Sequence, residues 1–370
     1  MYRVKKRWVI LLMLLVWTNG IGISAGAAKS KVSPADNSAF STQAVESKSS
    51  SKPGTKPEAT AEASLEAQEE KPKVPWRGST VSLQNSFTAL SLAPGAELTY
   101  NPYYAMTLKL RPSWWFNDNL GVQIWMDVVT ELTDSDITTY SREPLLGDLM
   151  LRGVYNDIYT IPKADIKISA DVFIVTPTSK MSLARTSILT LKPGVLLKRK
   201  FDVLEGLNLS YTLRFGLYWH RYTTAQRDTP LIPTCSSTQG GCDAFLNTGI
   251  RNTAFQLTQA LGVELQLLEW LSAYMTYGHI IDFLYRIDND DPRISHQPQE
   301  PQNQRYISLF DLGVSYSPLK TLSVSLGYQA LYPHLSPDST YYTPFFNRYG
   351  VIYCDLTLNV EGLIQQIKGE

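Results

Sequence analysis

The sequence has no long apolar run after its first seventeen residues. A membrane-spanning helix needs about 20 consecutive apolar residues, and no later segment approaches that length. If this chain crosses a membrane, it must therefore do so with β-strands.

An excess of charge of one sign is also missing. The 34 basic residues balance the 34 acidic ones, and no stretch is rich in Lys and Arg. Such a composition lacks the basic patch that binds polyanions. We therefore expect no nucleic-acid partner.

The first 27 residues have the pattern of a secretory signal peptide. Basic residues at positions 3, 5, 6 and 7 precede a short apolar segment, WVILLMLLVW, and the small residues Ala25, Gly26 and Ala27 follow it. Cleavage after Ala27 would remove four positive charges and no negative ones, which takes the formal charge from 0 to −4. No cysteine lies near this site, so a bacterial lipoprotein is not expected.

Cysteine is scarce, with three residues in the chain. Cys235 and Cys242 lie close together in the loop 222–249, and a secreted protein meets a compartment that oxidises thiols. We predict a disulfide between them; two free thiols and a metal site are the alternatives, and no histidine lies near enough in sequence to favour a metal. Cys354 should stay unpaired on the last strand.

Residues 28–78 differ in composition from the rest of the chain. They are rich in Ser, Ala, Lys, Glu and Pro, and they contain almost no aromatic residue before Trp76. Such a segment cannot bury enough apolar surface to fold. We expect a disordered periplasmic arm, which is either a plain spacer or a tether to the cell wall or a periplasmic partner.

From residue 79 onward, polar and apolar residues alternate with the period of a strand. In ADIKISADVFIV (164–175) the apolar residues fall on one face of an extended chain and the charged residues on the other. The pattern recurs in segment after segment and does not fit the helical period. We predict twelve strands, near 80–92, 103–115, 120–131, 147–157, 164–175, 187–200, 207–221, 250–266, 270–284, 305–317, 321–332 and 347–360.

The connections between these strands alternate in length. Tight turns follow the second, sixth, eighth and tenth strands, whereas odd-numbered strands end in longer polar loops, notably 222–249, 285–304 and 333–346. Aromatic residues cluster at the strand ends, as they do in the two interfacial girdles of membrane barrels. A soluble lipocalin-like barrel gives no reason for long loops at one end only. The sequence therefore predicts an all-β fold: a closed antiparallel transmembrane barrel of about twelve strands with both termini periplasmic.

The chain resembles bacterial outer-membrane β-barrel proteins over roughly residues 79–360. The stretch LTYNPYYAMTLKLRPSWWFNDNLGVQI (98–124) looks like porin-like barrels of the δ-proteobacterial type. The resemblance implies a barrel domain over residues 79–362 and a C-terminal tail over residues 363–370. It also implies the outer membrane as location, its lipid bilayer and the assembly machinery as partners, and no cofactor.

Two enzyme types occur on barrels of this size, and neither is expected here. A barrel phospholipase has a His and a Ser close together on a lipid-facing strand. The one such pair adjacent in this sequence, Ser295 and His296, lies in the loop 285–304 and not on a strand. An omptin-like protease needs paired acids and a His–Asp couple, and the Asp-rich tip of that loop is typical of turns. We expect no catalytic residues and no metal ligands.

Charged residues on the polar face indicate what the interior does. Both signs are interspersed along the sequence, so the residues could line a narrow porin-like passage for small hydrophilic solutes. They could instead pair across a packed interior, leaving a non-conducting barrel that displays its long loops as a structural or interaction protein. The predicted lining residues are Lys109, Arg111, Asp127, Arg152, Asp165, Lys167, Asp171, Lys192, Arg214, Glu264, Asp282 and Asp355.

Overall fold

The computed structural model describes residues 74–92, 103–133, 138, 140–227, 246–286, 303–319, 321–336, 339–345 and 347–368. The expected signal peptide, the expected arm as far as residue 73, and both Cys235 and Cys242 lie outside these residues. The disulfide between the two loop cysteines therefore stays a prediction.

Strands make up most of the described chain. Their bounds are β1 (Thr80–Thr88), β2 (Tyr104–Arg111), β3 (Ser113–Trp115), β4 (Leu120–Glu131), β5 (Pro144–Leu146), β6 (Leu149–Ile161), β7 (Ile166–Thr176), β8 (Ser187–Phe201), β9 (Gly206–His220), β10 (Thr224–Arg227), β11 (Leu246–Arg251), β12 (Thr253–Leu268), β13 (Leu271–Leu284), β14 (Gln304–Leu319), β15 (Leu322–Pro333) and β16 (Gly350–Asn359). Two short helices, α1 (Lys180–Ala184) and α2 (Val360–Lys368), and a 3-10 turn at Ala89–Leu92 complete the elements. No described helix is long and apolar enough to cross a membrane.

Twelve positions around a closed ring form the barrel. The order is β1, β2 with its continuation β3, β4, β6, β7, β8, β9, β12, β13, β14, β15 and β16. The strand β1 closes the ring because it is antiparallel to β2 on one side and to β16 on the other, with Leu83 opposite both Leu108 and Leu356. The predicted closed antiparallel barrel of twelve strands is confirmed. Outside the ring, β5 pairs with β4, and β10 pairs with β11.

Short connections gather at one end of the barrel, as predicted. They join β3 to β4, β6 to β7, β8 to β9, β12 to β13, and β14 to β15, and each spans two to four residues. The turn between β6 and β7 was not among the predicted tight turns; residues with positive φ, such as Lys163 at 57°, close it. The backbone N–H of Val360 donates to the carbonyl of Ser79 at 3.0 Å, so the start of β1 and the end of β16 share this end.

The last strand ends one residue before its predicted end, and a short helix follows it. β16 stops at Asn359, and the expected boundary at residue 362 falls inside α2. Leu363 and Ile367 are exposed on this helix. Cys354 lies exposed on β16 and is a free thiol, in agreement with the prediction for this residue.

The outer face of the barrel is apolar and exposed. Among its exposed side chains are Leu83, Leu108, Ile124, Leu151, Ile174, Leu213, Phe215, Leu261, Leu312, Leu326 and Leu356. Exposed aromatic residues border them: Trp270 and Tyr316 pack edge to face at 5.5 Å beside the short turns, and Trp219 and Tyr306 lie nearer the long loops. An apolar band between two aromatic girdles is the surface of a barrel that spans a lipid bilayer.

Candidate functional site: the charged barrel interior

Polar side chains fill the inside of the barrel because alternate residues of each strand point inward. In β2, Lys109 and Arg111 are buried, whereas Leu108 is exposed on the outer face. In β7, Asp171 is buried and Ile174 is exposed. From Ile166 to Ile174 the even-numbered side chains of ADIKISADVFIV thus point outward, and the odd-numbered ones, from Lys167 to Phe173, point inward.

Two arginines from different strands hold Asp171. Arg152 of β6 donates to Oδ2 from Nε at 3.1 Å and from Nη2 at 2.9 Å. Arg214 of β9 donates from Nη2 to Oδ1 at 3.0 Å and to Oδ2 at 2.7 Å. The Asp171 side chain is 5% exposed. Charge-assisted hydrogen bonds of this length are strong, so this carboxylate ties β6, β7 and β9 together from inside.

Gly194 makes the contact between β7 and β9 possible. It lies on β8, directly opposite Asp171 on one side and Arg214 on the other. A Cβ atom on this residue would lie 2.6 Å from Asp171 Oδ1 and 3.0 Å from Arg214 Nε. Glycine is needed here because two side chains meet directly above its backbone.

An aromatic pair packs beside these charges. Trp125 of β4 and Phe173 of β7 meet edge to face with ring centroids 5.1 Å apart. The guanidinium of Arg111 lies 4.9 Å from the Trp125 ring, and that of Arg214 lies 4.6 Å from the Phe173 ring. Arg111 also pairs with Asp127 at 2.6 Å. We call Arg111, Asp127, Arg152, Asp171 and Arg214 the arginine cluster; its three arginines and two aspartates leave one net positive charge.

A further ion pair crosses the strand that closes the barrel. Lys109 of β2 contacts Asp355 of β16 at 3.1 Å, with β1 between them. Thr357 donates to Asp355 Oδ1 at 2.9 Å and shares a 2.7 Å hydrogen bond with Ser82 of β1. Side-chain contacts inside the barrel therefore connect β16 to β1 and β2, in addition to the backbone hydrogen bonds between β1 and β16.

A row of two tyrosines and two glycines lies across β13 to β16. Tyr274, Gly313, Gly327 and Tyr353 occupy matching positions on four successive strands. The two tyrosine hydroxyls meet at 2.6 Å above the glycines, and Tyr353 donates to Asp311 Oδ1 at 2.9 Å. A Cβ on either glycine would lie 2.5 Å from a tyrosine hydroxyl oxygen. We call these four residues the tyrosine row, and it fills the interior on this side.

The part of the interior between the arginine cluster and the tyrosine row is less filled. There the inward side chains Asn208, Ser210 and Thr212 of β9 and Glu264 of β12 are polar and only half-buried. Asn208 donates to Glu264 across β9 and β12 at 3.4 Å, and Lys192 Nζ lies 5.2 Å from the Tyr218 ring. We call this surface the polar wall; its residues are Lys192, Lys198, Asn208, Ser210, Thr212 and Glu264.

Basic and acidic residues, interspersed in the sequence, separate in the ring. The inward charges of β6 to β9 are mostly basic: Arg152, Lys167, Asp171, Lys192, Lys198 and Arg214. Those of β12 to β16 are mostly acidic: Glu264, Asp282, Asp311 and Asp355, with Arg305 opposite Asp282. In a ring of twelve, β6 faces β14 and β8 faces β16. The interior therefore has a basic side and an acidic side.

The predicted lining residues occupy inward positions with one exception. Asp165 lies in the turn before β7 with a φ of 48°, and its side chain is exposed there instead of pointing inward from a strand. Lys167 faces inward near the same turn, is 54% exposed, and pairs with Asp157 at 3.3 Å. Asp282 is buried and accepts a 2.8 Å hydrogen bond from Gln256.

Several interior residues were not among the predicted lining residues. Trp125, Phe173, Tyr274 and Tyr353 are aromatic, and Gly194 has no side chain, so a search for charge passes over them. The sequence signal that could have found them is the two-residue alternation, because each of these residues occupies an inward-facing position of its strand. Among the described residues, no group of three or more His, Cys, Asp or Glu side chains converges as a metal site.

No protein-family model and no curated protein matches the sequence. Solved barrels are similar in shape. An outer membrane channel from Pseudomonas putida F1 has a TM-score of 0.47 at 11% identity, covering 79% of this chain and 98% of that one. The NanC porin has a TM-score of 0.36 at 10% identity, covering 75% and 98%. LpxR from Salmonella typhimurium has a TM-score of 0.33 at 10% identity, covering 76% and 100%.

Proposed function

We propose that this chain is a bacterial outer-membrane barrel that conducts small hydrophilic solutes through a narrow passage along the polar wall. The apolar outer band supports the membrane location. The shared end of β1, β16 and the short turns supports periplasmic termini, because outer-membrane barrels keep their short turns on that side. The resemblance of residues 98–124 to δ-proteobacterial barrels agrees with an outer-membrane location. The signal peptide would direct export of the chain, and the assembly machinery would insert the barrel into the outer membrane.

The uneven filling of the interior carries this proposal. The arginine cluster and the tyrosine row occupy much of the space with paired groups. On the polar wall, by contrast, Ser210 and Thr212 are small and half-buried, and Lys198 and Glu264 keep part of their side chains accessible. Charged groups that are not fully desolvated need water beside them. A hydrated passage between the two filled regions meets that need.

A non-conducting scaffold is the second candidate. Its supporting observation is the pairing of interior charges, since Asp171, Arg111 and Asp127 are each at most 7% exposed on their side chains. In that case the arginine cluster and the tyrosine row would block the interior to solutes, and the long loops would form the binding surface of the protein.

Solute flux into liposomes separates the two candidates. The purified barrel should let small uncharged sugars enter and swell the vesicles. Thr212→Trp should abolish swelling because it fills the passage from the polar wall, whereas Leu213→Trp should leave swelling unchanged because it points outward from the same strand. Vesicles that contain folded barrel and never swell would favour the scaffold.

A further inference from the structure

A serine on the outer face of the barrel is buried among polar residues. Ser308 points outward from β14, on the same face as Leu312, Val314 and Tyr316. Those three side chains are 40%, 45% and 46% exposed, whereas Ser308 is 2% exposed. Polar groups on a lipid-facing surface are costly and tend to be functional, so the surroundings of this serine need an explanation.

Two histidines meet the hydroxyl of Ser308. His334, just after β15, places Nδ1 at 3.0 Å from Oγ, and His279, directly opposite on β13, places Nδ1 at 3.5 Å. Two tyrosines flank the cluster: Tyr332 lies opposite Ser308 on β15, and the ring of Tyr277 packs edge to face on His279 at 4.9 Å. A nucleophile and a base within hydrogen-bond distance, with donors beside them, are the parts of an acyl-transfer site.

His334 is suited to act as the base. Burial lowers the pKa of its imidazole below the usual value, which favours the neutral ring that a general base needs in order to accept the serine proton. Its backbone N–H donates to the Tyr306 carbonyl at 3.1 Å, and its ring packs against Tyr341 at 5.3 Å. These contacts hold the imidazole in place.

The height of Ser308 on the barrel points to a lipid substrate. Tyr316, in the aromatic girdle beside the short turns, lies eight positions further along β14. At the rise and tilt of barrel strands this is about 20 Å along the membrane normal, compared with an apolar band about 25 Å tall. Ser308 therefore lies near the outer edge of the band, where acyl chains meet their headgroups.

A segment of the loop between β15 and β16 covers the serine. We call residues 335, 336, 339–345 and 347–349 the strap. Phe345 packs on Phe310, next to Ser308 on the outer face, with centroids 4.6 Å apart, and Tyr342 packs edge to face on Tyr332 at 6.1 Å. Tyr341 and Phe345 are still 60% and 47% exposed, so the strap presents aromatic rings to the membrane boundary.

We propose that Ser308 and His334 are the nucleophile and general base of a hydrolase site for the acyl esters of membrane lipids, covered by the strap until lipid displaces it. Ser308 Oγ attacks the ester carbonyl carbon while its proton moves to His334 Nδ1. The bond from the carbonyl carbon to the lipid alcohol oxygen then breaks, and that oxygen takes the proton from His334. Water cleaves the acyl-serine by the same route and releases a fatty acid, which restores the hydroxyl.

This activity goes beyond conduction and departs from the expectation that the chain is no enzyme. A purely structural anchor for the strap would have little use for two histidines, because aromatic contacts alone already hold Phe345 and Tyr342. The proposal does not depend on an open interior, since all of these residues lie on the outer face.

An alkyl fluorophosphonate, which reacts with activated serines, tests the site on the full-length barrel in detergent micelles. Mass spectrometry should find the adduct on Ser308. Phe345→Ala should loosen the strap and raise the labelling rate about tenfold, whereas Phe116→Ala, which removes an exposed ring at the other end, should not. His334→Gln should lower the rate about 100-fold, the usual contribution of a general base.

Hydrolysis of a long-chain p-nitrophenyl ester in the same micelles gives the second readout. Ser308→Ala should abolish it, and Ser315→Ala, an inward serine of the same strand, should retain it. Adduct mapping on the unaltered chain keeps the test valid even if Ser308→Ala fails to fold. A folded barrel that carries no adduct on Ser308, with the strap intact or with Phe345→Ala, would reduce the cluster to an anchor for the strap.

Discussion

Asp171 and Arg214 share two hydrogen bonds, of 2.7 and 3.0 Å, although the whole of β8 runs between their strands. The contact passes over Gly194, where a side chain would collide with both partners. The ion pair thus depends on three adjacent strands: β7 provides the carboxylate, β9 provides the guanidinium, and β8 provides a glycine that leaves room for both.

Gly194→Ala should disrupt this contact. The added methyl carbon would displace the Asp171 carboxylate, and loss of a charge-assisted hydrogen bond costs about 2 kcal/mol of unfolding free energy. Urea unfolding of the refolded barrel in detergent would measure the loss. Gly153→Ala on β6 is the control, because its Cβ would meet only Val172 Cγ1, at 3.3 Å. Equal stability of the two variants would contradict the importance of the contact.

Asp171→Asn should destabilise the barrel more than Gly194→Ala does. The substitution leaves Arg152 and Arg214 buried without their counter-charge, and breaking a buried pair from one side costs about 3 kcal/mol. The same urea titration would report it. Adding Arg214→Met to Asp171→Asn should recover part of the loss, since it removes one of the two uncompensated charges. No recovery in the double variant would show that the charges are not coupled.

Tyr353→Phe should cost more stability than Tyr274→Phe. Tyr353 loses hydrogen bonds to both Tyr274 and the Asp311 carboxylate, for about 2 kcal/mol, whereas Tyr274 loses the neutral bond alone, for about 1 kcal/mol. Thermal unfolding of the two variants side by side would rank them. The reverse order would mean that the carboxylate contact of Tyr353 contributes little.

The orientation of the barrel can be tested by labelling cells. In a chain with Cys235, Cys242 and Cys354 replaced by Ser, Tyr140→Cys should react with a membrane-impermeant maleimide on intact cells, because Tyr140 is 60% exposed in a long loop. Asp118→Cys, in the short turn before β4, should react only after the outer membrane is permeabilised. Labelling of Asp118→Cys on intact cells would place the short turns outside.

Much of the fold could be predicted from the sequence because alternation and loop length are local signals. The strand positions and the inward charges of β2, β4 and β7 follow from the two-residue period, and the barrel with its short turns at one end follows from the alternation of loop lengths. The place of Asp165 could not be predicted this way, because the period continues through it while its backbone turns with a positive φ.

Contacts between distant residues could not be predicted at all. Lys109 and Asp355 are 246 residues apart and meet only because β1 closes the ring between their strands. The separation of basic and acidic sides likewise depends on which strands face each other. Ser308, His279 and His334 come from two strands and a loop, so no sequence window contains the cluster.

Single-channel recording across a planar bilayer tests the proposed passage most directly. The refolded barrel should give small current steps, and its reversal potential in a salt gradient should depend on the polar wall. Lys198→Gln should shift the reversal potential toward cation preference, and Glu264→Gln should shift it toward anion preference, because each removes one sign of charge beside the permeating ion. A barrel that inserts fully and passes no current at any voltage would contradict the account.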